Sequence, residues 1–167
     1  MAKTNEFEIY VEINALAGAA NTTLDMTDYV DVADNEAFEI HAVDIVLDPT
    51  AALPTASEAI FQLADSNIQD FVSHSDRTSL YVARHTYDSA TVAMYQETSF
   101  SDITPLIVNK TLFCRSDLNG TAASLDFTLR MKGKIVKPSA KDYMALVLTQ
   151  TGNVTVLRDR DWETKFC

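Results

Sequence analysis

The chain has 167 residues, 47% of them apolar and 22% charged, with 24 acidic side chains against 13 basic and a formal net charge of −11. That length holds one domain with a proper core and is short for two, and the apolar content is that of a globule rather than of a disordered chain. The surplus of negative charge repels phosphate and so excludes an electrostatic grip on nucleic acid.

The amino terminus has one base, Lys3, no basic arm and no apolar stretch of the kind a signal peptide needs. It leads into a period of two. Phe7, Ile9, Val11 and Ile13 alternate with Glu6, Glu8, Tyr10 and Glu12, which predicts a half-buried strand. Asp25, Asp28, Asp31 and Asp34 then fall around Tyr29, Val30 and Val32, and part of this stretch is expected to pair as an edge strand. Across 36–47 the apolar phase slips, because Phe38, Ile40 and Ala42 give way to Val43, Ile45 and Leu47. Either a β-bulge or burial on both faces accounts for that slip. Further strands are predicted at 59–64, 80–87, 91–96, 105–115 and 153–157.

The cleanest alternation is the late one. Leu125, Phe127, Leu129, Met131, Gly133 and Ile135 interleave with Asp126, Thr128, Arg130, Lys132 and Lys134. The first set should face the core with Ile9 and Val11, the second the solvent. Ser139 and Asp142 form the ends of a capping box, followed by Tyr143, Met144, Leu146 and Val147 at helical spacing, with Gly152 placed to end the helix. A second box at Thr55 to Glu58 leaves helix and strand both open for the residues after it. With only four glycines, turns must rely on Asn, Asp, Ser and Pro, as at Asp48-Pro49, 117–120 and 137–139. The expected fold class is therefore all-β: a single β-sandwich domain over 1–167 with one or two short helices.

No reaction chemistry is written in the chain. His41, His74 and His85 have no metal-ligand spacing, and His74 with Asp76 reads as loop surface. The carboxylates from Asp25 to Glu36 could gather oxygens for calcium, but the alternating Asp loop that wraps the ion is missing. No nucleophile elbow and no Gly-rich phosphate loop occur, so no catalytic, cofactor-binding or metal residues are assigned and no cofactor is expected. Cys114 reads as a small core residue and Cys167 as exposed. Four Asn-x-Thr sequons, at Asn21, Asn109, Asn119 and Asn153, follow from an Asn- and Thr-rich strand-and-turn composition. The longest late uncharged run, 143–157, is too short and too polar to span a bilayer as a helix.

Charge is distributed unevenly along the chain. Residues 1–76 carry fifteen acids and one base, and residues 77–167 nine acids and twelve bases. Folded into one body, such a chain is expected to attract its copies in a few orientations and repel them in most. Arg130, Lys132 and Lys134 line the polar face of one strand roughly 7 Å apart, with Lys137 and Lys141 beyond. This is either a ridge that meets an acidic neighbour or an exposed sheet face or edge that lysines keep free of stray strands. The tail 158–167 alternates charge and carries Trp162, the chain's only tryptophan, and Phe166, anchors for a surface of this subunit or the next.

The succession of strands, in particular 36–47, 103–108 and 125–135 leading into 139–146, resembles that of the single jelly-roll capsid proteins of icosahedral viruses. The resemblance implies two four-stranded sheets packed face to face, about eight strands in all, in many copies forming a shell. It also implies a structural role in the virion with no reaction, with copies of the chain as partners. The missing basic arm assigns genome contact to another virion protein or to an internal membrane. A β-sandwich binding module is the alternative, with Tyr10, Tyr29, Tyr81, Tyr87, Tyr95 and Trp162 as a stacking surface.

Overall fold

A computed structural model describes residues 4–31, 34–48, 56–73, 76–88, 93–100, 105–107, 111–120 and 123–151. Nine strands and one helix follow in chain order: β1 (Phe7–Leu16), β2 (Gly18–Asp25), β3 (Ala37–Leu47), β4 (Ala56–Ala64), β5 (Ser79–Asp88), β6 (Ala93–Phe100), β7 (Leu106–Ile107), β8 (Thr111–Gly120), β9 (Ser124–Val136) and α1 (Ala140–Thr151). They form two antiparallel sheets with strand orders β1-β9-β3-β7 and β2-β8-β4-β5-β6. The chain changes sheet between β1 and β2, between β2 and β3, and between β3 and β4, then returns through β7, β8 and β9 to lie beside its earlier strands. That order is a jelly roll, with β6 added at the edge of the second sheet.

The period-two sequences set the two faces. On β9, Leu125, Phe127, Leu129, Met131 and Ile135 are buried while Asp126, Arg130 and Lys132 are exposed, as the alternation predicts. Ile9 and Ile13 of β1 are buried with them and Val11 is half-buried. Across the sandwich they meet Ala59, Phe61 and Leu63 of β4 and Leu112, Cys114 and Leu118 of β8. Phe61 and Phe127 join the two sheets edge to face with centroids 4.6 Å apart, and the buried His85 ring completes a three-ring cluster. Burial pushes the Cys114 thiol up to about 12, so it behaves as an inert core residue.

The phase slip in 36–47 is a bulge. Ile40 pairs with Gly133 and Ala42 with Lys132, leaving His41 as the extra residue of β3. Gly18, at φ +82°, supplies the left-handed backbone where the chain turns from one sheet to the other. Helix α1 begins as its capping box predicts: the Asp142 N–H donates to Ser139 Oγ at 3.2 Å, and that hydroxyl donates to the Asp142 carboxylate at 2.6 Å. Tyr143 seats the helix on Ala37 and Val136.

Several expectations are corrected. The stretch 105–115 is two strands, β7 and β8, in different sheets. The supposed turn at 117–120 is the end of β8, paired with both β2 and β4. For the residues after Thr55, where the sequence leaves helix and strand both open, the structure decides for strand, because Ala59, Phe61 and Leu63 all face the core. Among the described residues of the acidic stretch only Asp25 pairs in a sheet, closing β2, and the chain then turns at Met26 through hydrogen bonds from the Tyr29 and Val30 N–H groups. The strand expected at 153–157, Gly152, Cys167 and His74 lie outside the described residues.

Candidate interaction face

The two outer faces of the sandwich differ. On the second sheet, residues 65–73 fold back across the surface. Asn21 donates to the Ile68 carbonyl at 3.3 Å, the Arg115 guanidinium lies over the Phe71 ring at 5.4 Å, and Gln62 is buried beneath Val72. On the first sheet, Tyr10, Leu16 and Val46 stand exposed among charged side chains of β1, β9 and β3. This open face holds Arg130, Lys132 and Lys134.

Strand β9 lies between β1 and β3, so the lysines do not guard an edge. Their neighbours are acids of the first 44 residues of the chain. Arg130 donates to Asp44 at 2.5 Å, Lys132 lies 3.0 Å from Glu6, and Lys134 lies 3.0 Å from Glu39. Lys137 stands 4.0 Å from Asp34, and Lys141 is exposed on the first turn of α1. The jelly roll thus interleaves the acidic and basic halves of the sequence, and this face is a mixed lattice of charge. On this face the two halves of the sequence do not separate into an acidic and a basic region. These pairs are solvent-exposed to different degrees, so each contributes little to stability by itself. Trp162 and Phe166 lie outside the described residues.

At one end of the lattice the bulge turns His41 toward two carboxylates. Its Nδ1 meets Glu6 and its Nε2 meets Glu39 at 2.6 Å. With Lys132 on Glu6 and Lys134 on Glu39, five side chains from three segments form one continuous run. The hydrogen bonds to Glu39 and Glu6 raise the His41 pKa above its ordinary value, and the same bonds lower both carboxylates. Because the carboxylates face opposite ring nitrogens, they do not converge with the ring on one point. Among the described residues no group of three or more His, Cys, Asp or Glu could hold a metal ion.

The other candidate ligands are engaged separately. Asp25 accepts from the Thr27 N–H and hydroxyl, Glu36 accepts from the Asp31 N–H, and Asp76 accepts from Thr78 in the same manner as Asp25. Burial holds His85 below the usual imidazole range, neutral in the core beside an apolar pocket lined by Leu47, Ala59 and Leu125. Three of the tyrosines lie in different settings: Tyr10 is exposed on the first sheet, Tyr29 stacks on Phe7, and Tyr81 is buried. Among the described residues no helix is long and apolar enough to cross a membrane.

Sequence reasoning found the three cations of β9 but not Glu6, Glu39, His41 and Asp44 as their setting. The period-two acids of β1 and β3 were visible. Their placement beside β9 depends on contacts that span most of the chain.

No protein-family model matches the chain, and no curated protein matches it in sequence. Among solved structures it is similar to a chain from Desmodium yellow mottle tymovirus, with 8% identity and a TM-score of 0.34 over 84% of this chain and 94% of that one. A likeness so distant carries no argument. The strand order shows the fold alone, a jelly roll of the kind found in viral capsid proteins, lectin domains and cupins.

Proposed function

We propose that the chain is a structural subunit that associates with copies of itself into a closed shell, a viral capsid protein of the virion that performs no reaction. The observation that carries this reading is the jelly-roll strand order, a fold that shell subunits share with lectin domains and cupins. The open face of the first sheet supports it over the binding module, since Tyr10, Tyr29 and Tyr81 share no common platform while the cations and acids form an ordered lattice. Such a lattice is self-complementary. Rows of Glu and Asp flank the row of Arg130, Lys132 and Lys134, so a copy rotated by a two-fold axis can set its acids against these cations. The contact is drawn from that face and from the tail with Trp162 and Phe166.

Sedimentation velocity and negative-stain microscopy of the purified chain test the reading. Closed particles of uniform size are the expected result. A chain that remains monomeric at high concentration and at every ionic strength would overturn it.

A further inference from the structure

We propose that Glu6, His41 and Glu39 form a proton-operated latch, which holds the segment ahead of β1 against the bulge of β3 while His41 is protonated and lets it go when His41 is neutral. This device belongs to the fold and does not depend on the assembly reading.

The geometry requires the proton. Both ring nitrogens of His41 face carboxylates, Nδ1 toward Glu6 and Nε2 toward Glu39. An imidazolium donates to both. A neutral ring has one N–H and one lone pair, so one of the two carboxylates must then face a lone pair. Glu39 cannot easily leave, because its backbone is paired with both Lys134 of β9 and Leu106 of β7. Glu6 precedes the first paired residue, Phe7. The weaker side of the latch is therefore the leader.

Two other contacts hold that leader. The Ile135 N–H donates to Thr4 Oγ1 at 2.9 Å, and Lys132 lies 3.0 Å from Glu6. The charged groups that the described residues bring to His41 are Glu6 and Glu39 directly, Lys132 and Lys134 through those carboxylates, and Glu8 beside Lys132. The two lysines compete for the acids and keep them ionised, so each carboxylate has a second partner when the histidine loses its proton.

The signs follow from the directions of the shifts. A histidine whose folded pKa is raised gives a contribution that is complete below its ordinary 6.5 and is lost as pH rises through the folded value. The lowered carboxylates give one that is complete above their ordinary 4.5 and is lost as pH falls through their folded values. The latch is closed between these limits and opens on the alkaline side by loss of the His41 proton.

Hydrogen exchange read by mass spectrometry tests this on the intact chain, whether free or assembled. Exchange at the His41 ring carbon gives its titration midpoint, with His85 in the same sample as a buried reference. Backbone exchange of the amino-terminal peptide, corrected for the intrinsic effect of pH, reports the leader. The expected result is a His41 midpoint above 6.5, with protection of the leader lost across that same titration. In Glu6→Gln the midpoint should fall and protection of the leader should no longer follow it, because a glutamine amide can accept from the imidazolium or donate to the lone pair of the neutral ring. Glu39→Gln should likewise lower the midpoint. In that variant the leader should stay protected as His41 titrates, unlike in the parent chain, because a glutamine amide can donate to the Nε2 lone pair and leave the neutral ring's Nδ1–H on Glu6. A His41 midpoint at or below the ordinary value overturns the latch, as does leader protection that stays constant while His41 titrates.

Discussion

The side-chain amide of Gln62 pairs with the backbone of Val72 as a neighbouring strand would. Its Nε2 donates to the Val72 carbonyl and to Ser79 Oγ, both at 2.9 Å, and its Oε1 accepts the Val72 N–H at 2.8 Å. Gln62 points outward from β4 yet is only 1% exposed, because residues 65–73 lie over it. Replacing it by Leu removes every one of these partners and leaves a backbone donor and acceptor half-buried. Gln62→Leu should cost about 2–4 kcal/mol in denaturant unfolding and should open residues 65–73 to proteolysis. An unchanged midpoint would mean that water serves Val72 equally well.

Gly133 marks the closest approach in the first sheet. A Cβ there would lie 2.2 Å from the Glu39 carbonyl oxygen and 2.7 Å from the edge of the Phe38 ring. The missing side chain is the space that Phe38, fully buried, occupies. Gly133→Ala should therefore destabilise by about 3 kcal/mol or more, beyond the usual cost of one added methyl. Adding Phe38→Ala should not rescue it, since the carbonyl of the neighbouring strand stays in place. Thermal melts of the single and double variants check both statements.

Much of this fold was legible because burial imposes a period. The alternation of β9 gave a strand in the right place, the phase slip of β3 marked the site of the bulge while leaving burial on both faces open, and the Ser139 box gave the helix. Strand β2 was not legible. It is an edge strand with Leu24 as its single fully buried residue, so Gly18 to Thr23 has no apolar rhythm. The break between β7 and β8 was hidden for the opposite reason, since both pieces are apolar and adjacent. At the candidate face, the sequence showed the cations as a row but not their partners. Asp44 lies 86 residues from Arg130, and such pairs exist only once the chain has folded.

Ser139→Ala tests the helix cap directly. It removes the acceptor of the Asp142 N–H and the donor to the Asp142 carboxylate, and should cost about 1 kcal/mol. Ser139→Asp should retain most of the stability, because an acidic acceptor suits a helix amino terminus. Chemical denaturation of the three proteins measures the difference.

Asp65 is a buried carboxyl whose charge opposes folding. Burial pushes its pKa from 3.8 up to about 6, against the pull of Arg77. An acid with a raised folded pKa binds its proton more tightly in the native state, so its ionisation carries no penalty below 3.8 and the full penalty once pH has risen through the folded value. Asp65→Asn should therefore leave stability unchanged at about pH 3 and raise it by about 2 kcal/mol at about pH 8. Unfolding at the two pH values decides the matter, and a variant destabilised at both would show that the carboxylate is held by its partners rather than merely trapped.

The assembly reading predicts two separable responses. Contacts through Arg130, Lys132 and Lys134 lie on an exposed face and are screened as the Debye length falls to roughly 3 Å near 1 M salt, whereas aromatic anchoring is not. Reversing Lys132 and Lys134 to Glu should therefore weaken association chiefly at low salt, and deleting 159–167 should weaken it at every salt concentration. The reversal also breaks the pairs with Glu6 and Glu39, so the milder Lys132→Gln, Lys134→Gln variant belongs beside it. Exposed pairs contribute only ~0–1 kcal/mol to folding, so the neutral variant should melt close to the parent and still associate less at low salt. Light scattering across a salt series, with a thermal melt of each variant as the control for folding, separates the terms. Association that is indifferent to both the charge variants and the deletion would place the subunit contact elsewhere on the sandwich.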